Sequence, residues 1–108
     1  MNVTQTGLNL HVTYDEPTTT ENGTPLDDLA STLTVVTDDA GVELGTHDEP
    51  ASALTGGGAI EFDVLVDVPK DAKRELTVSV TALDTVGNES QPATSTILID
   101  REAPGVPV

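Results

Sequence analysis

The chain has 108 residues, a length that fits one domain with a modest core. It carries 19 acidic and only four basic residues, so its formal net charge is −15, and it has no cysteine. Nucleic acid and anionic membranes are therefore poor candidates as partners, because phosphate groups are bound by Lys and Arg. Without cysteine there can be no disulfide, thiol nucleophile or thiolate metal site.

The aromatic content is low: Tyr14 and Phe62 are the two aromatic residues. The core is therefore expected to be aliphatic, and the abundant Val and Thr favour strands because branching at Cβ suits a pleated surface. Both rings lie on the apolar sides of predicted strands, so we expect them to be buried. Carbohydrate binding needs exposed rings and is disfavoured for that reason.

Apolar residues in the first half recur at a period of two, which is typical of half-buried strands. A short first strand has to lie within residues 1–6, and the alternation predicts the next strand over Leu8–Tyr14. Residues 45–58, which contain three consecutive glycines, are predicted to be a flexible surface loop with at most a short edge strand. The remaining predicted elements are a turn or helical hook at 26–30, a strand at 33–36 and a short strand at 42–44.

The second half shows the clearest alternation. Strands are predicted over Ile60–Val68, Leu76–Ala82 and Ile97–Ile99, separated by turns at 69–73 and 84–92. Turn signals at intervals of eight to fifteen residues, with no long helical pattern, favour an antiparallel sandwich over a parallel α/β sheet.

The stretch Leu76–Asp84, followed by Thr85-Val86-Gly87-Asn88-Glu89-Ser90, resembles the penultimate strand and turn of fibronectin type III and bacterial Ig-like repeats. The ending Ile99–Pro104 is similar to the exit of those repeats into a linker. The resemblance covers about 90 residues. It implies an all-β, antiparallel Ig-like or fibronectin type III β-sandwich over residues 1–100, followed by an extended tail at 101–108. Leu33 and Leu76 stand where family members often carry tyrosines.

Catalysis is not expected from these residues. The two histidines are His11, on the polar side of a predicted strand, and His47, in the predicted flexible loop. Neither lies beside a serine and an orienting acid in a motif that would form a nucleophile–base pair. The chain is therefore expected not to be an enzyme and to hold no cofactor.

The acidic residues could bind calcium, which takes six to eight oxygen ligands. The weak candidates are Asp84, Asn88 and Glu89 in the turn after the penultimate strand. No EF-hand ladder is present. The alternative is that Asp84 and Asn88 stabilise their own turn through backbone hydrogen bonds.

The four basic residues are candidates for partner binding because they provide the only positive side-chain charge on an acidic body. They can contact an acidic protein surface, or they can simply belong to a solvated turn. These residues are Lys70, Lys73, Arg74 and Arg101.

The fold resemblance leaves function open, because such domains carry many functions. The first hypothesis is a multicopy structural protein of a virus particle, a head decoration or tail accessory protein of a tailed virus that binds capsid or tail proteins. It is motivated by a lone Ig-like domain that starts with Met and lacks an export signal or a membrane-spanning segment. The alternative is a spacer or adhesion module of a secreted or cell-surface protein, indicated by the linker-like ending.

The charge also generates a prediction about salt. A net charge of −15 destabilises a compact chain by self-repulsion. Molar salt removes most of that repulsion, because the Debye length falls to about 3 Å. If the protein comes from a saline habitat, its melting temperature should rise steeply between low and molar NaCl. A nearly flat salt titration would instead favour an acidic protein from an ordinary habitat.

Overall fold

The computed structural model describes residues 1–108 and contains seven β-strands and no helix. The strands form two antiparallel sheets, one of three strands and one of four. This confirms the prediction of an all-β antiparallel protein and is consistent with a β-sandwich. The strands are β1 Asn2–Thr6, β2 Asn9–Asp15, β3 Leu29–Thr37, β4 Glu43–Pro50, β5 Ala59–Leu65, β6 Lys73–Asp84 and β7 Ala93–Asp100.

The order in the first sheet is β1-β2-β5, and the order in the second is β4-β3-β6-β7. Consecutive strands therefore pair within a sheet at β1–β2, β3–β4 and β6–β7, whereas β2 pairs with β5 and β3 pairs with β6 across the sequence. This arrangement leaves β1 and β5 as the edges of one sheet and β4 and β7 as the edges of the other.

The core between the sheets is aliphatic, as the composition predicts. Leu10 and Val12 on β2 face the second sheet, where Leu76 and Val78 lie on β6. Alternation places these residues on one face of each strand. Val66 and Val68 also belong to the core although β5 ends at Leu65, so the predicted strand Ile60–Val68 ends three residues earlier than expected while its buried residues stay buried.

Two of the three threonines of β3 point into the core. Thr32 and Thr34 are buried and lie opposite Ala82 and Val80 on the inner face, whereas Leu33 is half-buried on the outer face. The phenol of Tyr14 shares a 2.5 Å hydrogen bond with the Thr32 hydroxyl across the sandwich. Of the two leucines at expected tyrosine positions, Leu76 is a core residue and Leu33 is not.

Residues 43–50 form a full edge strand, so the prediction of a flexible loop from residue 45 is wrong in its first part. Gly45 explains how β4 approaches the other sheet. A Cβ at this position would lie 2.9 Å from Val64 Cγ1 and 3.0 Å from the Leu65 carbonyl oxygen. Only a glycine lets the edges β4 and β5 come this close, which closes the sandwich on that side.

The rest of the predicted flexible loop, residues 51–58, is held by one buried carboxylate. Glu16 is only 3% exposed. Its oxygens accept hydrogen bonds from the Ser52 amide at 3.0 Å, from the Ser52 hydroxyl, and from the Gly58 amide at 3.0 Å. Gly56 adopts a φ of 67°, and a Cβ there would overlap the Pro17 carbonyl oxygen. This loop is therefore a packed part of the fold.

Two further predictions need correction. No helical hook forms at residues 26–30, because Leu29 already begins β3 and Leu26 is buried beneath the preceding connection. Tyr14 and Phe62 are half-buried rather than buried, and their rings make an edge-to-face contact with centroids 5.9 Å apart. The short first strand within residues 1–6 is confirmed by β1.

The buried Glu16 site leads to a stability prediction. Burial raises the pKa of the Glu16 carboxyl, but the hydrogen bonds from Ser52 and Gly58 outweigh it, so the pKa lies below its ordinary value. Glu16→Gln should lower the free energy of unfolding by about 1–3 kcal/mol near neutral pH, because one or more buried donors lose an ionised acceptor. Chemical denaturation measures this change.

The pH dependence and a control complete the test. Since folding lowers the pKa, the stabilisation is present above the unfolded value and is lost as the pH falls through the lowered folded value. The difference between wild type and Glu16→Gln should therefore shrink in acid. The exposed neighbour variant Asp15→Asn should change stability by less than about 0.5 kcal/mol. Equal effects of the two variants would contradict a special role of Glu16.

Candidate protein-binding surface

The strand directions divide the connections between two ends of the sandwich. One end carries residue 1 and the connections 16–28, 51–58 and 85–92; we call it the acidic end because no lysine or arginine lies there. The opposite end carries the connections 7–8, 38–42 and 66–72 and the tail 101–108. We call the latter the basic end, because all four basic side chains lie there. Acidic residues occur at both ends.

The four predicted partner-binding residues are brought together by the pairing of β6 with β7. Lys70 lies in the connection after β5, and Lys73 and Arg74 begin β6. Lys73 lies opposite Asp100, the last residue of β7, so Arg101 follows directly beside this group. Lys70 and Arg101 are 31 positions apart in the sequence, yet both lie at the basic end.

Arg101 has a structural role as well. Its guanidinium donates a 2.8 Å hydrogen bond to the Val68 carbonyl oxygen, and its amide donates a 2.9 Å bond to the Ala72 carbonyl oxygen. The Asp71 amide in turn donates to the Arg101 carbonyl oxygen at 3.2 Å. Arg101 therefore belongs to the folded domain, and the free tail begins at Glu102.

None of the four basic side chains forms an ion pair. The three ionic contacts of the protein all involve histidine. Lys70, Lys73 and Arg74 are exposed, and Arg74 donates only to the backbone oxygen of Lys73, at 3.2 Å. On a chain with 19 carboxylates, Lys70, Lys73 and Arg74 are therefore exposed cations without an internal ion pair, while the Arg101 guanidinium is bound to a backbone oxygen.

The predicted calcium candidates form a hydrogen-bonded turn. The Asp84 carboxylate accepts bonds from the Val86 amide at 3.0 Å, from the Asn88 amide at 2.8 Å and from the Asn88 side chain at 2.9 Å. The Asn88 hydrogen bond lowers the pKa of Asp84. Glu89 is exposed and its side chain contacts neither residue. The oxygens of Asp84 that would ligate calcium are therefore already hydrogen-bonded within the turn.

His11 lies on the outer face of the three-stranded sheet, as predicted from its place on the polar side of β2. Its Nε2 lies 2.8 Å from Glu61 Oε1, and its Nδ1 lies 2.8 Å from Asp63 Oδ1. The hydrogen bond with Asp63 raises the pKa of His11, desolvation opposes it more weakly, and the charge of Glu61 adds to the increase. In its protonated form, the His11 ring joins two like-charged side chains on β5.

His47 does not lie in a loop, contrary to the prediction. It is on the inner side of β4, where its ring stacks on Phe62 with centroids 4.0 Å apart. Its Nε2 lies 2.7 Å from Glu49 Oε2. His47, Phe62 and Tyr14 form a cluster along the edge where β4 and β5 approach each other. No local pattern in the sequence indicates this cluster, because its members come from three strands of two sheets.

No group of three or more His, Cys, Asp or Glu side chains has an arrangement that could hold a metal ion. The structure contains no helix long and apolar enough to span a membrane. Comparisons with protein-family models, with curated proteins and with solved structures find no match for this chain. The surface of the chain is therefore the guide to its function.

The His11 contacts predict a pH-dependent stabilisation. Because folding raises the His11 pKa, the stabilisation is fully present below the unfolded value near 6.5 and disappears as the pH rises through the folded value. His11→Asn should therefore lower the melting temperature more at pH 5 than at pH 9. Replacing both partners, Glu61→Gln with Asp63→Asn, should reproduce this pattern. A His11→Asn effect that does not vary with pH would contradict the ionic role.

Proposed function

We propose that this chain is a non-enzymatic structural protein that attaches to other protein subunits through its basic end. The setting that we propose is a tailed virus particle, in which the chain serves as a multicopy head decoration or tail accessory protein. The observation that carries the docking role is the gathering of every basic side chain at one end without an ion pair.

The strand order supports a fibronectin type III-like domain for this role. In Ig constant domains the fourth strand joins the sheet of the first two strands. Here β4 pairs instead with β3 in the four-stranded sheet, an arrangement that resembles fibronectin type III repeats. Such domains present rigid, strand-built surfaces, which suit repeated attachment to a lattice of subunits.

Charge complementarity supports the choice of partner. A subunit with a net charge of −15 is repelled by other acidic proteins unless a local positive surface meets them. Lys70, Lys73 and Arg74 provide positive charges for such a contact within a segment that also contains Asp71 and Glu75. Their exposed side chains can pair with carboxylates without breaking an internal ion pair. Charged contacts of this kind determine the orientation and the rate of association more than the affinity.

A second function is favoured by a different observation. Strand β1 starts at the acidic end and β7 finishes at the basic end, so the chain enters and leaves the sandwich at opposite ends. Domains linked in series through such ends would form an extended rod. This geometry supports a spacer or adhesion module of a secreted or cell-surface protein.

The docking role is tested by neutralising the basic end. The variant Lys70→Gln, Lys73→Gln, Arg74→Gln should lower occupancy on particles depleted of the chain by about tenfold at low salt. Co-sedimentation followed by quantitative mass spectrometry measures occupancy. Arg101 is left unchanged because it holds the connection between β5 and β6.

A control variant adds the same net negative charge elsewhere: Thr4→Glu, Thr55→Glu, Thr94→Glu, at three exposed positions outside the basic end. It should bind particles nearly as well as wild type. Equal losses in both variants would attribute the effect to net charge alone and would overturn docking through the basic end. A native polypeptide with further domains on either side would favour the spacer role.

A further inference from the structure

A groove of about 1120 Å³ opens between the two sheets at the acidic end. Ala93, the first residue of β7, lines it, and so does Met1, which precedes β1, whereas no residue of β1, β4 or β5 does. The edge strands β1 and β7 are joined only near the basic end, where the Gln5 side chain bonds to the backbone of Asp100. Toward the acidic end no bond joins them, and the sandwich stays open.

The floor of the groove is formed by side chains that point into the sandwich. Tyr14 on β2 faces Val80 and Ala82 on β6, and Ala93 begins β7 beside Val80. Leu29 at the start of β3 completes this apolar floor. These residues continue the core: Leu29 and Val80 are buried, Tyr14 and Ala82 are half-buried, and Ala93 is exposed, so the accessible apolar floor is formed by Tyr14, Ala82 and Ala93.

The rim of the groove is acidic. No lysine or arginine lines it, and two of its carboxylates are used internally: Glu21 accepts from the Gln91 amide at 2.7 Å, and Asp84 holds its turn. The other rim carboxylates form no side-chain hydrogen bond within the chain. They are Asp15, Asp27, Asp28 and Glu89.

Strand β7 borders the groove and has no strand partner on its outer side. An edge of this kind presents unpaired backbone N–H and C=O groups, which an extended peptide can use to add a strand. Alternate side chains of the added strand would point to opposite faces. One set would enter the groove above Ala93 and Val80, and the other would lie near the rim.

We propose that this groove binds an extended segment of a partner protein in which apolar side chains alternate with lysine or arginine, paired as an added strand on β7. The apolar side chains of the segment pack on the apolar floor, and its lysines or arginines pair with the rim carboxylates. Its backbone forms hydrogen bonds with the free edge of β7. This site is separate from the basic end and does not depend on the function proposed above.

The probe is a short synthetic peptide in which lysine alternates with valine, added to the full chain. NMR titration should shift the amide signals of residues 93–97 and of the rim, and calorimetry should give a dissociation constant below about 1 mM. The variant Asp27→Asn, Asp28→Asn, Glu89→Gln should weaken binding by about tenfold at low salt, because each removes a rim charge without breaking a side-chain hydrogen bond.

A matched variant removes three exposed carboxylates far from the groove: Asp39→Asn, Glu43→Gln, Glu75→Gln. It should change binding less than about twofold. A peptide with glutamate in place of lysine should not bind, and one with proline at every valine should bind weakly because proline cannot donate to the edge.

Several outcomes would overturn the proposal. These are equal weakening by the two triple variants, signal changes confined to other faces, undiminished binding of the proline peptide, and no binding of the lysine–valine peptide at millimolar concentration. Concentration-dependent self-association that shifts the groove signals would assign the groove to a second copy of the chain instead.

Discussion

The two-layer aliphatic core is the constraint on which the other features of this protein depend. Val36 and Ile99 on one sheet meet Leu10 and Val12 on the other, and no charged side chain lies among them. With only two aromatic rings available, the core is filled by the branched side chains of Leu, Val and Ile. Nearly all of the 19 carboxylates are therefore on the surface, where four basic residues and two histidines offset little of their charge and solvent and salt screen most of the repulsion.

Glu16 is the exception to that rule, and its position shows why a buried charge is tolerated. An ionised carboxylate loses hydration on burial, so it needs hydrogen-bond donors in return. Ser52 and Gly58 provide them from one loop, and the Glu16 amide donates to the Gly58 carbonyl oxygen at 2.9 Å. The result is a crosslink between the end of β2 and the connection that leads into β5. Without it, three consecutive glycines would leave that connection with little to order it.

The sequence predicts the strands with alternating apolar residues well and the rest of the fold less well. β2, β5 and β6 follow from their period of two, and the turn at Asp84 follows from its residue types. Strand β4 is predicted too short, as a strand at 42–44 and a short edge strand within 45–58, because it has few apolar residues and contains Gly45, whose role depends on the distance to β5. Glu16 is missed because its hydrogen-bond partners lie 36 and 42 positions away.

The candidate sites also differ in how far local sequence patterns predict them. The basic end could be predicted, since Lys70, Lys73 and Arg74 are close in sequence and the linker-like ending places Arg101 after the last strand. The groove at the acidic end could not, because it arises where β1 and β7 diverge and no local pattern records that distance. The stacked pair His47 and Phe62 is also a product of sheet packing, so a histidine with an ordinary sequence context acquires a partly enclosed position.

The residues that we propose for partner binding are largely different from the residues that stabilise the fold. The side chains of the basic end and of the groove rim lie outside the core, and most of them form no internal contact that folding requires. Arg101 is the exception, because it connects the start of the exposed tail to the Val68 and Ala72 carbonyl oxygens. This anchor holds the tail beside the lysines. A partner bound at the basic end therefore lies within reach of the exposed Val106 and Val108, while a segment bound in the groove lies at the far end. In the two proposals, the docking surface and the groove therefore lie at opposite ends of the sandwich.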